Sequence, residues 1–139
     1  MIQSTAAPAH LQVSRSPVII GYALTGLAAL FLAFDTVMKL LGIDQAVQST
    51  TALGYPASVV VTIGVIELVC LTLYLVPATS VSGAILLVGY LGGAVATHVR
   101  AGNPLASHVL FPLYIAAMLW GGLYLREPRL RALLPFRRV

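Results

Sequence analysis

Along this chain, long apolar runs are broken at regular intervals by proline, glycine and small polar residues. Four runs stand out, at about 18–41, 56–76, 81–99 and 104–125. Each has the roughly 17–25 residues that a helix needs to cross a bilayer. Their ends carry helix punctuation. Pro17 and Gly42 bracket the first run, and Pro56 and Pro77 bracket the second. Ser80 is the expected cap of the third run and Gly102 its stop. Asn103 and Pro104 open the fourth, and Pro128 lies beyond it. Pro112 falls inside the fourth run and predicts a kink there. No ten-residue alternation of the kind a membrane β-barrel requires is present. The pattern predicts an all-α fold, an antiparallel integral-membrane four-helix bundle.

Between the first two runs, residues 42–55 are polar but place Ile43, Val47 and Leu53 at near-helical spacing. This predicts a short amphipathic segment on the outer face, a candidate lid. Small residues recur in the spans. Gly89 and Gly93 stand four apart, a spacing that lets membrane helices approach closely, so they are expected to pack inside the bundle.

Composition places lipid around this pattern. Of the 139 residues, 59 % are hydrophobic and 9 % charged, and mean hydropathy is +0.95. That leaves too little charge to coat a water-soluble domain. The formal charge of +4 is unevenly spread, with five of eight basic residues at Arg126, Arg129, Arg131, Arg137 and Arg138. A basic tail directly after an apolar span points to the inner face of a membrane and not to nucleic acid. With an even number of spans, both termini are expected in the cytoplasm of a bacterial inner membrane. Residues 1–16 read as a disordered lead and 128–139 as a basic tail suited to an interfacial helix. Cys70 is the single cysteine, so an intrachain disulfide is excluded.

Against this background, ionisable residues inside the spans are the candidates for function, because each costs several kcal/mol unless paired or hydrated. Asp35 and Lys39 lie one turn apart on the first helix. Glu67 lies about 16 Å from either end of the second. His98 and Arg100, with Thr97 beside them, end the third helix, and His108 begins the fourth. The topology directs these residues to the outer half of one bundle. The expectation is an outward-facing polar pocket leading down to Glu67. Asp35, Glu67 and His98 are the candidate catalytic groups, and Lys39, Tyr90, Thr97, Arg100, His108 and Tyr114 the candidate ligand-binding groups. No HxxxH or ExxH spacing supports a metal site, and no haem, flavin or iron–sulfur signature is present. Structural roles stand beside each functional one: a register-setting ion pair for Asp35 and Lys39, a bundle lock for Glu67, and interfacial anchoring for Arg100 and the histidines.

The run Gly89-Tyr90-Leu91-Gly92-Gly93-Ala94 through Thr97-His98-Val99-Arg100, then Asn103-Pro104 and His108-Val109-Leu110-Phe111-Pro112, resembles the DoxX-like family of small bacterial membrane proteins. Phe34-Asp35-Thr36-Val37-Met38-Lys39-Leu40, and Gly64 with Glu67, are similar as well. The resemblance covers roughly 18–134 and implies a four-helix membrane bundle. It also implies a link to membrane redox complexes, including quinone-using oxidoreductase subunits. Three functions stay open. The first is a redox accessory subunit that binds a small lipophilic or quinone-like molecule and works with a membrane or redox partner protein. The second is a stand-alone membrane enzyme performing acid/base chemistry, such as isomerisation, cyclisation or epoxide opening, with Asp35 and Glu67 as the pair. The third is a non-enzymatic scaffold or assembly factor.

Overall fold

The computed structural model describes residues 16–134, and the expected leading segment and the last part of the basic tail lie outside them. Six α-helices follow in order: α1 Ser16–Leu40, α2 Asp44–Ala52, α3 Val60–Leu75, α4 Ser80–Arg100, α5 Phe111–Arg126 and α6 Pro128–Leu133. A 3-10 turn, Ala57–Val59, leads into α3, and a π-helical turn, Leu105–Val109, leads into α5. No strand occurs among the described residues.

Four stretches are long and apolar enough to cross a membrane: Ser16–Leu40, Ala57–Leu75, Ser80–Arg100 and Leu105–Arg126. No more than 33 % of the most apolar window of each is buried inside the bundle. The rest turns outward, and α1 alone exposes Leu27, Leu30, Phe34 and Val37. A surface of that kind is solvated by lipid, with backbone polar groups satisfied inside each helix. The helices form a square. α1 packs against α3 and α5, and α4 packs against the same two, so α1 faces α4 and α3 faces α5 across the diagonals.

Glycine sets both helix ends and helix spacing. Gly42 and Gly102 adopt positive φ of 60° and 70°. Gly42 N–H then bonds Lys39 O and Ile43 N–H bonds Met38 O, while Gly102 N–H bonds Val99 O and Asn103 N–H bonds His98 O. These paired closures end α1 and α4 at the same end of the bundle, as glycine in the left-handed region allows. Elsewhere glycine brings backbones together. A Cβ on Gly122 would lie 2.5 Å from Thr25 Oγ1 and 2.9 Å from Gly21 O, and one on Gly83 would collide with the backbone of Leu73 and Tyr74. The expectation for Gly89 and Gly93 is corrected: nothing lies within 4 Å of a Cβ on either, nor on Gly92. The spacing permits close approach, but no neighbouring helix comes within 4 Å of the face that carries it.

The packed end of the bundle contains Ala28, Leu32, Leu71, Leu87, Leu119 and Leu123 around the buried Tyr74. Tyr74 OH donates to Leu119 O at 2.8 Å, spanning the α3–α5 diagonal. Its single proton is then committed, so Thr25 Oγ1, at 3.2 Å, is the donor to Tyr74.

Three expected features change. Pro112 does not kink a continuous helix but sits in the first turn of α5, where its missing N–H leaves no bond unmade. The preceding turn widens instead, with Leu110 N–H bonding Leu105 O. Thr79, not Ser80, is the residue before α4, and its side chain bonds Leu73 O. Asn103 caps no helix; its amide turns to His98.

The glycine contacts generate a pair of contrasting outcomes. Gly122→Ala should destabilise the protein by about 1–3 kcal/mol through overpacking at the α1–α5 seam. Gly92→Ala should be neutral or slightly stabilising, since alanine favours the helix by up to ~1 kcal/mol and meets no neighbour. Thermal unfolding of both variants in one detergent checks this, and equal midpoints would contradict the assigned seam.

Candidate functional site

Lys39 is the penultimate residue of α1 and is directed inward. Gly64 makes this position accessible from α3, since a Cβ there would come within 2.9 Å of Lys39 Cβ. Glu67 follows Gly64 by one turn on the same face of α3. Lys39 Nζ donates to Asp35 Oδ2 at 2.5 Å, to Glu67 Oε2 at 2.8 Å and to Tyr90 OH at 2.8 Å. An ammonium has three protons, so all are used. Tyr90 OH in turn donates to Glu67 Oε2 at 2.9 Å. This closed set joins α1, α3 and α4, and Lys39 to Tyr90 spans a diagonal that the backbones leave open.

The members differ in access. Glu67 is 0 % exposed, Lys39 13 % and Asp35 39 % by side chain. Glu67 Oε1 is buried with no hydrogen-bond partner, and so is Thr36 Oγ1. The assembly places two carboxyl groups around one ammonium, the buried Glu67 and the more open Asp35. Such an arrangement holds only while each charge keeps its partner, because breaking a buried pair costs about 3–5 kcal/mol.

Beside this set lies a cavity of about 670 Å³. Asp35, Lys39 and Tyr90 form one part of its wall, and Thr97, His98, Asn103 and His108 another. Phe31, Leu32, Ile63, Phe111 and Ile115 supply apolar surface, and Phe31 meets Phe111 edge to face at 5.1 Å. Ser49, Thr50 and Ala52 of α2 complete the wall. Gly89 and Gly93 also line it, which is the consequence of their unpacked face.

The segment around α2 is tied down by α4. Arg100 Nη2 donates to Leu53 O at 2.6 Å, and Tyr55 OH contacts Thr97 Oγ1 at 3.0 Å. Thr97 already donates to Gly93 O, so Tyr55 is the donor in that pair. Asn103 Nδ2 stands 2.8 Å from His98 Nδ1. An amide nitrogen only donates, which places the proton of neutral His98 on Nε2. The His98 and His108 rings meet at 5.8 Å, edge to face.

Of the residues singled out in the sequence, Asp35, Lys39, Tyr90, Thr97, His98 and His108 therefore share one cavity. Three do not line it. Glu67 stands behind Lys39 and Tyr90, so the pocket does not lead down to it. Arg100 is engaged with the α2–α3 loop. Tyr114 is 51 % exposed on the outside of α5. Helical rotation separates these cases, and hydropathy does not encode rotation. Tyr55, Ser49 and Thr50 are not among the site residues the sequence points to, and Asn103 is there only as a helix cap, because polar residues in loops and amphipathic turns carry no signal of burial. The i+5 spacing of His98 and Asn103 across a glycine stop is the one clue that was available.

Four lipid-facing apolar helices enclosing a buried ionic network define a multi-pass membrane protein of the four-helix class. The chain belongs to the DoxX-like family, whose model matches residues 23–122. Comparison with curated proteins and with solved structures returned no match.

The network gives a stability ordering. Lys39→Met should destabilise the protein by about 3–5 kcal/mol, since it leaves two carboxylates facing each other without a cation. Glu67→Gln should cost less, because Lys39 keeps Asp35. The double variant Lys39→Met with Glu67→Gln should be more stable than Lys39→Met alone. Unfolding midpoints in detergent read this directly, and strict additivity would refute the coupling.

Proposed function

We propose that this protein binds a small lipophilic, quinone-like molecule in the cavity beside α2 and serves as an accessory subunit of a membrane oxidoreductase. The observation that carries this reading is the make-up of the wall: mostly apolar, with Asp35, Lys39 and Tyr90 joined as one polar group and His98, Asn103 and His108 as another. Cavities of a few hundred Å³ with that mixture suit compact amphiphiles. A ring with two oxygens matches two polar patches better than a simple hydrocarbon does.

The hydrogen-bond inventory assigns roles within this proposal. Lys39 has no proton to spare, so it orients and neutralises. Asp35 is the carboxylate within reach of a bound molecule and accepts from a quinol hydroxyl. His98 Nε2–H donates to the oxygen on the other side and is the second proton-exchanging group. Glu67 is a positioning residue, holding Lys39 and Tyr90. Electrons would pass to or from a redox partner protein. The arginine excess at the α6 end supports an orientation with both termini in the cytoplasm of a bacterial inner membrane and the cavity on the outer side. The resemblance to the wider DoxX grouping, which is linked to membrane redox complexes, supports this reading.

Binding of a short-tailed quinone and its quinol, measured by thermal shift and by equilibrium titration of the protein in lipid nanodiscs, tests the proposal. Saturable binding is expected, weakened about 10-fold or more by Asp35→Asn or His98→Gln, in line with the ~1.5–3 kcal/mol of a charge-assisted hydrogen bond. Tyr114→Phe should leave it unchanged. Absence of saturable binding, or indifference to both substitutions, would refute it. Turnover of a supplied lipophilic substrate by the isolated protein, lost in Asp35→Asn, would instead favour acid/base catalysis without a redox partner.

A further inference from the structure

At the end of the bundle opposite the cavity, the last residue of α5 is held in an unusual way. The guanidinium of Arg126 lies over two tyrosine rings, 5.7 Å from the Tyr22 centroid and 5.5 Å from that of Tyr74. Tyr74 is fully buried and fixed through its hydroxyl to Leu119 O, so one of the two rings is rigid. Cation–π contact stabilises the charge but supplies no hydrogen-bond acceptor. Arg126 Nε and Nη2 are both shut off from solvent and have no acceptor among the described residues. Nε and Nη2 form one edge of the guanidinium, the fork that grips a carboxylate or phosphate through two parallel bonds. Nearby on α6, Arg131 Nε is bare in the same way.

The local acid does not answer this charge. Glu127 accepts from the backbone N–H of Arg129 and so caps α6, and both ion pairs among the described residues belong to Lys39. Arg126, Arg129 and Arg131 thus leave this end strongly positive. A guanidinium remains charged in any protein environment, so a buried bare edge stays costly unless an anion meets it.

We propose that the Nε–Nη2 edge of Arg126 is a binding site for a phosphate-type anion, supplied by the headgroup of an acidic phospholipid. The site stands at the terminus of a membrane span, where lipid phosphates are the most abundant anions. Arg126 is only partly buried as a residue, and binding at this edge requires its side chain to rotate toward the headgroups while keeping contact with the exposed Tyr22 ring. Arg131 contributes a second donor. The site is independent of the cavity beside α2 and of the function proposed for it.

The test uses the full chain in nanodiscs of pure phosphatidylcholine or of phosphatidylcholine mixed with phosphatidylglycerol, with unfolding temperature and bound-lipid number by native mass spectrometry as readouts. The expected result is a higher unfolding temperature with phosphatidylglycerol and one retained acidic lipid per chain. Arg126→Lys, which keeps the charge and loses the fork, should reduce the shift by half or more. Arg129→Lys should leave it intact. Tyr22→Leu, which removes one of the two rings and retains the arginine, should weaken it and serves in place of Arg126→Lys if that variant does not fold. No preference for phosphatidylglycerol, or equal effects of Arg126→Lys and Arg129→Lys, overturns the site. A shift reproduced by inorganic phosphate in phosphatidylcholine discs overturns the lipid as its source.

Discussion

An ammonium and two carboxylates inside an apolar bundle are tolerable only as a closed set, and Lys39 closes it. Its three protons go to Asp35, Glu67 and Tyr90, residues of three different helices. In lipid there is no water to replace a lost partner, so the network constrains the rotation of α1, α3 and α4 together. Gly64 is part of the same constraint, because only a residue without Cβ lets Lys39 come so close to α3. The stop at Gly42 then turns the chain immediately beyond Lys39 and delivers α2 to the cavity wall. Glycine geometry, ion pairing and the position of the cavity are three aspects of one arrangement.

The two ends of the bundle are built on different rules. Toward α6, glycines bring α1 against α5 and α3 against α4, and Tyr74 fills the centre with both of its hydrogen bonds made. Toward α2, Gly89 and Gly93 face open space, and the helices are linked by long polar side chains. The packed end supplies rigidity through van der Waals contact, which is the main source of helix association in membranes. The open end retains volume. This division explains how a chain of this size accommodates a cavity of about 670 Å³ without losing its helical frame.

The four spans, the polar segment between the first two, and the membrane character followed from hydropathy and punctuation, because the bilayer selects length and apolarity with little regard to detail. The ionisable residues were legible for the same reason, as costly exceptions in apolar runs. Asp35 with Lys39 was readable as a pair because helical spacing alone makes them neighbours. What periodicity does not contain is the azimuth of each helix, and it is azimuth that decided the rest. It set Glu67 behind Lys39 instead of at the foot of the cavity, turned Tyr114 outward, and made Gly89 and Gly93 cavity wall instead of helix seam. It also brought Tyr55, and Asn103 that had been expected to cap the fourth helix, onto Thr97 and His98. The sequence by itself determined how many helices enter the membrane and which charges they carry there. Only the tertiary structure decided which of those charges meet one another and which meet open space, because that depends on contacts between residues far apart in the chain.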